Sequence, residues 1–119
     1  MQFKFLALLS AFVTVAVAQE LEDSGHLFIP DGALGSCGNP VLDTDLAVAL
    51  GPAHWSDAFC GQTIQVAVQG SPSETVSVVV QDECLTCLKN QILLTPAAFT
   101  ALIGNSPNKT IPVIYNLPE

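Results

Sequence analysis

A chain of 119 residues, 50% hydrophobic and only 12% charged, has room for one domain and too little charge for a long disordered tail or a coiled coil. Three basic residues against eleven acidic ones give a formal net charge of −8, a balance that repels nucleic acid and anionic lipid.

Lys4 precedes the apolar run Phe5–Val17, and the small-residue pattern Ala16-Val17-Ala18 stands before Gln19. Residues 1–18 therefore read as a secretory signal cut after Ala18, because the run is too short to span a membrane. Export places the four cysteines in an oxidising compartment, where two disulfides supplement the modest core of a small domain. The residues alone leave three pairings open. Residues 19–24 are acidic and read as a flexible N-terminus.

His26–Ile29 is a candidate first strand, turned by Pro30-Asp31-Gly32 toward Gly35-Ser36-Cys37-Gly38. Leu46–Leu50 is apolar throughout and suits a buried strand or one helical turn, which periodicity does not separate. In Thr63–Val68, Ile64, Val66 and Val68 alternate with Gln65 and Ala67, the period of a half-buried strand. After the turn Gly70–Ser73, Thr75–Val80 returns to complete a hairpin. Gln91–Leu94 is another short apolar run. Thr95 as N-cap, Pro96 at the first helical position and Gly104 as the stop then define a helix over Ala97–Ile103, with Phe99, Leu102 and Ile103 on one face. Ile111–Tyr115 forms a last strand, which Pro112 assigns to an edge or a bulge. Asn108-Lys109-Thr110, in a stretch of loop-forming residues, is an N-glycosylation sequon.

These short strands and one or two short helices suggest a small β-barrel. Gly35–Gly38, Asp43–Leu50, Cys60–Ile64, Asp82–Cys87 and Leu94–Phe99 follow one another in an order that resembles small secreted fungal proteins of the RlpA-like, barwin-like and expansin-like kind. The resemblance implies a mainly β fold, a six-stranded double-psi β-barrel with two disulfides, over residues 25–119. By resemblance to expansins, Cys37 pairs with Cys60 and Cys84 with Cys87. In expansins and family 45 glycoside hydrolases the segment before the barrel helix resembles His-Phe-Asp-Leu-Ser and its aspartate is the acid. Here Gln91–Thr95 matches that segment and Leu93 replaces the aspartate. The family's N-terminal motif is typically a Thr followed by aromatic residues, and Gly25-His26-Leu27-Phe28 keeps only Phe28 of it. Glycoside hydrolysis uses two carboxyl groups separated by roughly 5 to 9.5 Å, and leucine neither donates nor accepts a proton.

Asp82 matches a groove aspartate of the family and is the one catalytic candidate; its alternative role is a turn-forming carboxylate that accepts backbone N–H groups. Asp45 resembles a loop-capping position, while Asp43 and Glu83 read as solvated charges. A zinc site at Cys84-Leu85-Thr86-Cys87 would need two further ligands from Cys37, Cys60, His26 and His54, and oxidised thiols are favoured, so no metal or cofactor is expected. The combined expectation is a secreted, extracellular, monomeric and non-hydrolytic domain. It binds a cell-wall polysaccharide in a groove formed by Phe28, Asp45, Trp55, Asp82 and Tyr115, without nucleic-acid or membrane partners. The first alternative is an effector or cysteine-protease inhibitor that binds an extracellular protein through the loops Gly51–Phe59 and Cys84–Asn90. The second is a weak glycan-active enzyme using Asp82.

Overall fold

The computed structural model describes residues 20–118, so the signal segment 1–18 lies outside the described residues. Six strands close into a barrel: β1 Glu20–Leu27, β2 Ala47–Leu50, β3 Thr63–Val68, β4 Val76–Glu83, β5 Ile92–Leu94 and β6 Thr110–Asn116. Around the barrel they run β1-β5-β2-β4-β3-β6. The β1/β5 and β2/β4 pairs are parallel and the other four antiparallel. One helix, α1 (Pro96–Ile103), and a 3-10 turn at Asp57–Phe59 complete the regular structure. No helix among the described residues is long and apolar enough to cross a membrane.

Alternation decides which side chains fill the barrel. Val48 and Leu50 of β2, Ile64 and Val66 of β3, Val78 and Val80 of β4, Ile92 and Leu94 of β5, and Ile111, Val113 and Tyr115 of β6 form one buried cluster. Their period of two follows from the pleat. β2 is apolar at all four positions because its outward residues, Ala47 and Ala49, are covered as well. Such continuous burial resolves the Leu46–Leu50 run as a strand rather than a helical turn.

α1 begins as its capping residues require. Thr95, fully buried, accepts from Ala98 N and Ala47 N through Oγ1 and donates to the Asp45 carbonyl, so one hydroxyl starts the helix and ties it to β2. At the other end Gly104, with φ 69°, donates to the Thr100 carbonyl.

Two expectations are corrected. Glu20–Ser24 is the first half of β1, paired with β6 from Glu20↔Asn116 to Ser24↔Pro112, rather than a flexible end. Its acidic residues disguise the strand, but Leu21 points into the core while Glu20 and Glu22 face solvent. Pro112 does not mark an edge, since β6 is paired on both sides. The Pro112 carbonyl accepts from Gln69 N, one residue beyond the last β3–β6 pair, Val68↔Val113. A residue's N and O point to the same side of a strand, so the missing N–H falls where β3 has already ended.

Disulfides join Cys37 to Cys60 and Cys84 to Cys87. The first ties the loop after β1 to the turn before β3. The second closes a loop of three-residue separation directly after β4.

Candidate functional site

β4 carries a bulge opposite β2: Val48 pairs with Val80, but Ala49 pairs with Asp82, leaving Gln81 as the additional residue. The bulge places Asp82 beside Ala49. Ala49 also pairs with Leu93 of β5, and Leu93 with His26 of β1. Asp82, Ala49, Leu93 and His26 thus form one row across four strands on the outside of the barrel. His26 had no place among the sequence-derived site residues, because only the parallel β1/β5 register brings it beside Leu93. Its Nδ1 lies 3.0 Å from Thr110 Oγ1, which extends the row onto β6.

The centre of this row is apolar. Leu93 and Phe28 pack against a small cluster of Ala49, Cys84 and Cys87, so the position that resembles the family's acid is filled by hydrocarbon against a disulfide. Asp82 stands at one end and is occupied structurally. Its Oδ1 accepts from Ser36 N at 2.8 Å, Ser36 Oγ at 3.0 Å and Glu83 N at 2.8 Å. Gly35 makes this approach possible, because a Cβ there would collide with the Gln81 carbonyl and press on Asp82 Cβ. Three donors on one oxygen make Asp82 a clamp between the Gly35–Gly38 loop and β4.

Asp45 closes its own turn by accepting from Leu42 N at 2.9 Å. It also lines an open cleft of about 430 Å³ with Thr44, Leu46, Ala47, Val79 and Gln81. Ala47 pairs with Val79, so this cleft lies on the same outer face as the Asp82–Ala49 pair, two residues back along β2.

The aromatic residues expected in the groove separate. Phe28 lies over the disulfide cluster. Tyr115 does not line the cleft beside Asp45: it is 2% exposed, packs in the barrel core, and donates from its hydroxyl to the Asn90 carbonyl at 2.7 Å. Burial, reinforced by the Asp23 carboxylate, pushes its phenol well above the usual range. The period-two run Ile111, Val113, Tyr115 carried the signal for this inward placement. Trp55 is half-buried and packs against the main core.

Two loops meet beside the disulfide. A Cβ on Gly51 would lie 3.0 Å from Cys87 Cβ, and His54 Nε2 lies 2.7 Å from Asn90 Oδ1. Asn90 also donates its N–H to Asp23 Oδ2 at 3.1 Å, while its carbonyl receives the Tyr115 hydroxyl. This residue, which no sequence motif singles out, pins the 84–91 loop to β1, β6 and the 51–55 loop. Within the loop, Cys87 N bonds to the Cys84 carbonyl, Gln91 N to the Leu88 carbonyl, and Leu88 N to Gln91 Oε1. On this braced frame Leu85 is 77% and Leu88 68% exposed. Ile29, next to Phe28, and Leu34, next to Gly35, are exposed as well.

A closed six-stranded barrel with mixed pairing, one helix and two disulfides defines a double-psi β-barrel. No family model matches the chain. Solved structures similar to it include the Streptomyces papain inhibitor (TM-score 0.73, 23% identity, 87% of this chain and 98% of that one). A Clavibacter michiganensis expansin also superimposes (TM-score 0.70, 26% identity, 85% of this chain and 51% of that one), as does a mutant of it in complex with cellohexaose. Among curated proteins, the chain is 33% identical over 86 residues to the Allergen Asp f 7 homolog of Arthroderma benhamiae, covering 67% of this chain and 29% of that protein. It is 30% identical over 83 residues to the papain inhibitor of Streptomyces mobaraensis, covering 63% and 56%. The chain thus has the double-psi β-barrel fold of the papain inhibitor and the expansin, and it spans less than two thirds of the length of the curated relatives it matches.

Proposed function

We propose that this chain is a non-hydrolytic binding domain that engages a protein through the face built on the Cys84–Cys87 loop, in the manner of a cysteine-protease inhibitor. The observation that carries this reading is the pair Leu85 and Leu88, exposed on a loop held by a disulfide and by Asn90. Exposed apolar side chains on a pre-ordered loop cost little entropy on docking and remove apolar area from water. The likeness to the Streptomyces papain inhibitor, which extends over 98% of that chain, supports the same class of ligand. Residues 1–18 serve export in this reading, so the partner is extracellular.

The test is titration of papain with the full chain and with a Leu85→Asp/Leu88→Asp variant. Saturable inhibition that weakens at least tenfold in the variant is the expected result. Absence of inhibition by a folded wild-type chain removes the reading.

A cell-wall glycan in the cleft beside Asp45 and Gln81 is the second reading. It is favoured by the expansin structure in complex with cellohexaose and by Thr44, Asp45 and Gln81 on the wall of that cleft. It ranks second because Tyr115 is buried and Trp55 packs on the core, which leaves Phe28 as the aromatic for a sugar ring to stack upon. Retention on cellulose, chitin or peptidoglycan at moderate salt, together with no effect on papain, reverses the ranking. Release of reducing sugar that disappears in Asp82→Asn restores the enzymatic alternative and overturns the inference drawn from Leu93.

A further inference from the structure

On another part of the barrel, α1 and the loop that follows it enclose a cleft of about 400 Å³. Its apolar lining comes from Leu27, Pro96 and Phe99, and its polar lining includes Thr100, Ser106 and Asn108. None of the lining residues is charged, although the chain is strongly acidic. Apolar side chains set against small hydroxyl and amide groups suit a neutral ligand with hydrocarbon and hydroxyl faces, and the volume lies in the range of small-molecule sites.

Asn108 is the acceptor of the Asn108-Lys109-Thr110 sequon. It is exposed, and its backbone N–H is held by Ser106 Oγ at 3.2 Å. Its carboxamide has no hydrogen-bond partner among the described residues. The sequon is anchored by its neighbours: the Lys109 carbonyl accepts from Leu27 N at 2.9 Å, and Thr110 Oγ1 meets His26. The attachment point therefore has a fixed position on the wall of a cleft suited to a sugar.

We propose that Asn108 carries an N-linked glycan whose first N-acetylglucosamine folds back into this cleft, covering Leu27 and Phe99. The modification is a β-glycosylamide bond from the Asn108 amide nitrogen to the sugar's anomeric carbon, with a lipid-linked oligosaccharide as donor and its lipid diphosphate as leaving group. The inference does not depend on the partner at the Cys84–Cys87 loop.

The full chain is produced in a eukaryotic secretory host, and its glycan is trimmed to a single N-acetylglucosamine. Intact mass shows the sugar on wild type and not on Asn108→Gln. Relative to Asn108→Gln, the Leu27 methyl and Phe99 ring resonances of the trimmed protein shift. Thr100→Trp, which fills the cleft from the exposed face of α1, keeps the sugar mass and abolishes that shift. An unmodified Asn108 overturns the proposal, as does a glycosylated protein whose Leu27 and Phe99 resonances match those of Asn108→Gln.

Discussion

The barrel interior and the face around the 84–91 loop use the same kind of residue to opposite ends. Inside, Val48, Leu50, Val66, Val80 and Ile92 are wholly removed from water and are touched from several strands at once. At the loop, the backbone around Leu85 and Leu88 is held by the Cys84–Cys87 disulfide and by hydrogen bonds at Cys84, Cys87, Leu88 and Asn90, and the leucine side chains stay in solvent. In the interior, order results from apolar burial. In the loop, order is supplied by a disulfide and by Asn90, which frees the apolar side chains for another use. Rigidity and burial are thus separable, and their separation distinguishes the 84–91 face from the core.

Substitutions can break this contrast, and the largest effect belongs to the interior. Leu50→Ala leaves a cavity in the main core cluster and is expected to cost roughly 2–5 kcal/mol, as much as a small domain can spare, measured by urea unfolding. Replacing both Cys37 and Cys60 by serine releases a crosslink of 23-residue separation and is expected to cost about 3 kcal/mol in the same measurement. The exposed pair behaves in the opposite way. Leu85→Asp/Leu88→Asp should change folding stability by no more than about 0.5 kcal/mol while weakening papain inhibition by roughly 30-fold, the scale of one interface hot spot. Equal losses of stability and inhibition would erase the distinction between the two regions.

Tyr115 joins the two, since its ring is in the core and its hydroxyl holds Asn90. Tyr115→Phe removes one hydrogen bond and is expected to cost about 1 kcal/mol, with a further loss of inhibition as the loop loosens. The phenol also gives the interior a pH signature. Its folded value is raised above the ordinary 10.0, so its contribution is complete below about pH 10 and is lost as pH rises above that, where the unfolded chain releases the proton and the folded chain keeps it. Tyr115 is the chain's single tyrosine, so absorbance of the phenolate follows this group without overlap. Wild type should lose stability above pH 10 more steeply than Tyr115→Phe. Titration of the folded protein at the ordinary phenol value would contradict the buried placement.

Much of this architecture was legible because it is local. The limits of Thr63–Val68 are those of β3, with Ile64 and Val66 buried as the alternation predicts and Ala67 covered as well, and Thr95-Pro96 with Gly104 bracket α1 to within one position. The site was less legible. Asp82 was identified, but its role as a clamp depends on Ser36, 46 positions away, and on the bulge at Gln81. As the chain's single tyrosine, Tyr115 reads as a groove aromatic, although its own strand's period points it inward. Glu20–Ser24 reads locally as a loose end because acidic residues outweigh a single leucine, whereas pairing with β6 makes it strand in three dimensions.

The chain by itself determined the turns, the helix limits and the alternation of most strands, since each depends on residues within a few positions of one another. Only the tertiary structure decided that His26, Leu93, Ala49 and Asp82 share one row, that Tyr115 is core, and that Asn90 braces the 84–91 loop. Those facts arise from strand register and barrel closure. Both are set by how all six strands bury their apolar faces together, and no single segment encodes that.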